Sequence, residues 1–133
     1  MRSNEESRLI NAIIRAAYPF MKLERVNVGR VKTVDGYWFD TGVPKGHPDL
    51  KGVIPARFSI HGHAIPVYIE TKIYPNRATP EQIEYIHKRR RDGCIAGVCH
   101  SVKEFWDLVS PVLRKERSYM SAIKKICAGA MAL

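Results

Sequence analysis

A chain of 133 residues, 45% hydrophobic and 26% charged, fits one domain with its own core and excludes a low-complexity or fibrous protein. Lys and Arg number 22 against 13 Asp and Glu, and the formal net charge of +9 makes a polyanion, foremost nucleic acid, the expected partner. No apolar run approaches the roughly 18 residues of a membrane span, no apolar leader opens the sequence, and Cys94, Cys99 and Cys127 form no CxxC pair, so the expectation is a cytoplasmic protein with reduced core thiols and no membrane partner.

Ser3 and Glu6 fit a capping box, and Leu9, Ile10, Ile13, Ile14 and Ala17 follow at helical spacing. The first element is therefore a helix that Pro19 ends. Residues 25–34 read as a strand, with Val26, Val28, Val31 and Thr33 interleaved with Asn27, Arg30 and Lys32. Asp35-Gly36 signals a hairpin turn, and Tyr37-Trp38-Phe39 starts the return strand. A basic strand beside aromatics suits a surface that contacts a phosphate backbone, and a solvated sheet face accounts for the pattern equally simply.

Residues 41–48 are rich in Gly and Pro and read as a loop; 49–54 read as a short strand and 56–60 as another strand piece. His61-Gly62-His63 is a tight turn. Two histidines there lack a third ligand nearby, so they are read as turn residues rather than a metal site. Ala64 to Ile73 is a strand rich in β-branched and aromatic residues. Thr79-Pro80-Glu81-Gln82 carries a Thr cap, Pro in first position and Gln where a capping box wants it. That helix runs to about Asp92, with Ile83 and Ile86 expected toward the core and Gly93 as the stop.

Lys88-Arg89-Arg90-Arg91 complements the helix dipole in part, but four cations exceed that need and point to phosphate contact, together with Arg77 in the preceding loop. Residues 94–99 are apolar and small, which suits a buried central strand. Ser101 caps a further helix bearing Phe105, Trp106, Leu108 and Val109, and Pro111 breaks or restarts it. The tail, about 111–133, reads as helical with Met120, Ile123, Ile126 and Cys127 on one stripe, which covers the core or meets a second subunit. The element order gives an α/β fold, a mixed central sheet flanked by helices.

One constellation carries chemistry. Alternation puts Glu70 and Lys72 on the same face of their strand. A carboxylate and an ammonium at the end of an apolar strand are costly to desolvate without a partner or purpose. Asp49 stands 21 residues upstream, after a Gly/Pro turn, far enough for a hairpin that brings the chain back beside itself. Two carboxylates and a lysine at one sheet edge suffice to hold a hard divalent cation, Mg²⁺ or Mn²⁺, and activate a water; a strand carbonyl near Thr71 would add a ligand.

In Pro48-Asp49, Glu70-Thr71-Lys72, Gln82 and the Glu near the start of helix one, the chain resembles the PD-(D/E)XK nuclease superfamily. Within it, it is most similar to the virus-type replication-repair nuclease (VRR-NUC) family, over about residues 3–110. The resemblance implies a restriction-endonuclease-like core and metal-dependent phosphodiester cleavage with no nucleotide cofactor. It carries over Asp49 and Glu70 as metal ligands and Lys72 as the catalytic lysine, with Gln82 and Glu6 as supports; Glu5 competes with Glu6 for its place. Family members of this kind imply a homodimer that cuts branched DNA such as Holliday junctions, in a phage or its bacterial host. Nuclease action on flapped or linear DNA or on RNA, and a non-catalytic basic DNA-binding module, remain alternatives.

Overall fold

The computed structural model describes residues 4–26, 30–40, 42–43 and 45–114. Helix α1 (Asn4–Ala17) buries Ile10, Ile13, Ala16 and Ala17, the stripe that its spacing predicts. Ser3 lies outside the described residues, so its capping role does too. The chain then places β1 (Glu24–Arg25), a hairpin of β2 (Arg30–Lys32) and β3 (Trp38–Asp40), and β4 (Leu50–Ile54). β5 (Ile65–Thr71), α2 (Pro80–Arg91), β6 (Ile95–Cys99) and α3 (Val102–Val109) follow.

The main sheet has the order β1-β4-β5-β6, and β2-β3 form a separate pair. β4 runs antiparallel to β5 with Leu50 opposite Ile69, while β6 runs parallel to β5 with Cys99 opposite Thr71. This is an α/β fold with a four-stranded mixed sheet flanked by helices, an arrangement compatible with a restriction-endonuclease-like core. Ile65, Val67 and Ile69 of β5 pack with Ile10, Ile13, Phe105 and Val109 into the main core. Each such fully buried side chain stabilises the fold by about 1.5–3 kcal/mol. Phe20 meets Trp106 edge-on at 5.6 Å and closes one end of that core.

α2 begins as its sequence requires. Thr79 Oγ1 accepts from the Gln82 amide, the Gln82 side chain accepts from the Thr79 amide, and Pro80 sits in the first turn. Gly93, at φ 91°, ends it in the left-handed region that glycine favours.

Four expectations need correction. The strand expected at 25–34 is divided: β1 ends at Arg25, and β2, starting at Arg30, belongs to the other sheet. Residues 56–58 form a 3₁₀ turn after Pro55 rather than a strand, and Ser59 makes only an isolated bridge to Leu113. The 94–99 run is an edge strand, pairing with β5 alone among the described residues. Its small apolar residues are buried by helices rather than by a second strand: Arg90 of α2 reaches the Ala96 carbonyl, and Leu108 of α3 abuts Gly97. Ile83 is 43% exposed, because α2 turns Ile86 inward instead. The tail stripe from Met120 to Cys127 lies outside the described residues. No helix among the described residues is long and apolar enough to cross a membrane.

Candidate active site

Strand pairing brings the distant acids together. With Leu50 opposite Ile69 in an antiparallel ladder, the next pair outward is Asp49 and Glu70. The loop carrying Asp49 lies hard against α2: a Cβ on Gly46 would stand 2.7 Å from the Glu81 carbonyl oxygen, and Gly46 has φ +91°. Only glycine meets both demands without strain. The loop thereby fixes Asp49 beside the helix that supplies Gln82.

Asp49 is 9% exposed and held by Thr71. The Thr71 amide donates to Asp49 Oδ2 at 2.9 Å, and the Thr71 hydroxyl donates to the same oxygen at 2.8 Å. Asp49 thus receives the amide of β5 just beyond the end of β4. Its own backbone carbonyl accepts from Val26, which ties the position to the chain leaving β1 as well.

Glu70 is 2% exposed. Its Oε1 accepts from Gln82 Nε2 at 3.0 Å and lies 3.7 Å from Lys72 Nζ. Its Oε2 is buried without a hydrogen-bond partner among the described residues. Burial first, and then the charge of Asp49, push the Glu70 carboxyl up to about 8, although Lys72 pulls in the opposite direction. Two carboxylates crowded in a dry place resist joint ionisation, so a proton or a cation must sit with them. Lys72 stands on the same face as Glu70, as strand alternation requires, and keeps 19% of its side chain exposed.

A second row extends this site along β5 and α2. Tyr68 lies two residues before Glu70; Tyr85 and Arg89 follow Gln82 at helical spacing. The His47 ring lies 4.9 Å from Tyr85 and 5.8 Å from Tyr68, and the Arg89 guanidinium sits 5.1 Å from the Tyr85 ring centre. His47 Nδ1 is 2.8 Å from the Pro48 carbonyl, which orients the imidazole. Of this row only Arg89 stands out in the sequence, as part of the basic cluster; the signal for Tyr68 and Tyr85 is the i, i+2 spacing on β5 and the i, i+3, i+7 spacing on α2.

Asp49, Glu70, Thr71, Lys72 and Gln82 are thus brought together. Glu6 is half-buried in the first turn of α1, and no cluster of three His, Cys, Asp or Glu side chains suited to a metal occurs among the described residues. His61 and His63 stack at 5.7 Å as exposed turn residues.

The basic cluster on α2 is differentiated. Lys88 pairs with Glu84 at 3.2 Å, Arg89 packs on the tyrosines and reaches Asp92 at 3.6 Å, and Arg90 Nε donates to the Ala96 carbonyl at 2.7 Å. Arg91 and Arg77 are exposed, and Lys32 lies 5.9 Å from the Trp38 ring centre. The Arg30 side chain lies outside what is described.

The donor set suits a hard divalent cation: oxygen ligands only, two carboxylates of which one is pinned and the other retains a buried, unpartnered oxygen. Comparison with known proteins returns nothing similar: no family model, no curated protein and no solved structure matches the chain.

Proposed function

We propose that the chain is a Mg²⁺- or Mn²⁺-dependent phosphodiester hydrolase acting on nucleic acid, a nuclease of the PD-(D/E)XK type. One observation carries this reading: Glu70, almost wholly buried, has an acid on one side and an ammonium on the other, with one oxygen left without a partner. Here the Lys72–Glu70 separation of 3.7 Å is long for a charge-assisted hydrogen bond, and Glu70 stays destabilised as an anion. That disfavours the alternative of a basic binding module with an incidental salt bridge.

A divalent cation held by Asp49 and Glu70 would lower the pKa of a bound water and offset charge on the scissile phosphate. Thr71 fixes one Asp49 oxygen, so the acid meets its ligand without reorganising. Gln82 fixes Glu70 Oε1 in the same way. Lys72, on the open side of Glu70, stabilises charge developing on the phosphoryl oxygens and orients the attacking water. The net charge of +9 draws the polyanion to the site.

Branched DNA as substrate, a homodimer presenting two such sites and kinship with the virus-type replication-repair nucleases are finer parts of the same proposal, resting on the motif resemblance. The test is incubation of labelled four-way junction, flap and linear DNA with Mg²⁺, with and without chelator. Chelator-sensitive cleavage, lost in Asp49→Asn and Lys72→Ala variants that still bind, is expected. Full cleavage by either variant overturns the assignment.

A further inference from the structure

The four-stranded sheet is covered unequally. Among the described residues, α1 and α3 bury one face, whereas α2 packs on the other over β5 and β6. Over β1, β4 and the start of β5, an open groove of about 470 Å³ remains. Val53 and Pro66 form its apolar floor, Tyr68 its wall toward α2, and Lys22, Glu24 and Lys51 its polar rim. Val53 is 48% exposed. A Cβ on Gly52 would stand 2.7 Å from the Lys22 carbonyl oxygen, so the glycine lets the Lys22 backbone lie directly on β4.

The groove and the acid pair share strands and face. Lys51 lies two residues beyond Asp49 on β4, and Tyr68 two residues before Glu70 on β5. Two strand residues span about 7 Å, so one step along the groove leads from the lysine row to the carboxylate row.

We propose that this groove holds an unpaired nucleic-acid strand and leads it to the Asp49–Glu70 pair. The inference rests on the nuclease reading for its direction, not for its chemistry. Phosphates of an unpaired strand meet Lys22 and Lys51, while its exposed bases cover Val53, Pro66 and the ring of Tyr68. A duplex presents only its charged exterior and has nothing to bury on an apolar floor. Charge also selects among occupants. The lysine rim repels the chain's own tail, which carries Lys115, Arg117, Lys124 and Lys125 against Glu116.

The test is fluorescence anisotropy in chelator, where no cleavage intervenes, with labelled oligo-dT, oligo-U and a duplex of equal length. Oligo-dT is expected to bind more tightly than the duplex, with oligo-U showing whether the sugar matters. Lys22→Glu and Lys51→Glu, both at exposed positions, should each weaken strand binding about tenfold and lower the salt slope by about 0.7. Iodouracil in the strand should photocrosslink to Tyr68. Unchanged affinity in both variants, equal losses for strand and duplex, or a crosslink mapped elsewhere overturns the proposal. A shift in oligomeric state in Lys51→Glu would instead assign the groove to a second copy. Strand binding without any cleavage would sink the nuclease reading alone; cleavage with indifferent groove variants would sink the groove alone.

Discussion

Thr71 gives both its amide and its hydroxyl to a single oxygen of Asp49, at 2.9 and 2.8 Å. The two hydrogen bonds set this carboxylate at the rim of the sheet, beside Glu70. Thr71→Val keeps the shape and the amide bond but removes the hydroxyl from a buried charge. A loss of about 1–3 kcal/mol in urea denaturation is expected, with cleavage reduced and partly restored by Thr71→Ser.

Glu70 makes the protein's stability depend on pH in a specific direction. Its folded value, about 8, lies above the ordinary 4.5, so between those limits the folded protein keeps a proton that the unfolded chain has released. Stability therefore falls as pH rises through that window. At about 1.4 kcal/mol per unit, the full penalty above pH 8 is on the order of 5 kcal/mol. Glu70→Gln should abolish cleavage yet be more stable than the wild-type protein at pH 8.5, and the two should converge near pH 4.5. Denaturant melts at the two pH values measure this.

The same proton competes with the cation. Below pH 8 the acid must release it before Mg²⁺ binds, so apparent metal affinity should rise about tenfold per pH unit up to that point and then level. Calorimetric titration of Mg²⁺ in two buffers of different ionisation heat reads the proton release directly. Absence of release at pH 6.5 would place the metal away from Glu70.

Gln82 serves two partners, the Thr79 amide and Glu70 Oε1. Gln82→Glu preserves the capping box, since a carboxylate accepts from the Thr79 amide equally well, but sets a third acid against Glu70. Near-native helix stability is expected, together with a metal dependence displaced to higher pH. Thr79→Ala should do the reverse, costing about 1 kcal/mol of stability and leaving the pH dependence in place.

The basic cluster on α2 should divide by role. Arg90→Ala removes the donor to the Ala96 carbonyl and should lower stability by about 1–3 kcal/mol. Arg91→Ala, at an exposed position, should leave the melt unchanged and weaken DNA binding with a shallower salt slope. Equal melts for the two variants would contradict the division.

Local rules recovered much of this molecule. Thr79 and Gln82 specify their helix start by capping, Ser101 by its hydroxyl, and β5 by alternation, because each signal is short in range. The meeting of Asp49 with Glu70 also followed, since an antiparallel return between β4 and β5 leaves them few other places. What escaped were the edge position of β6 and the phase of α2. An apolar run such as Cys94–Cys99 looks the same whether strands or helices cover it. Ile83 lost the inward position because Gln82, Tyr85 and Arg89 claim that side of the helix for a polar row. The double role of Thr71 was hidden for a related reason: its hydroxyl partner lies 22 residues away, and only the finished pairing shows the two in reach.

The most direct measurement is anomalous diffraction from a crystal soaked in Mn²⁺. The account predicts a peak within about 2–2.5 Å of one oxygen from each of Asp49 and Glu70, absent in Glu70→Gln. No peak there in the wild-type crystal, or a peak only at His61 and His63, would contradict it.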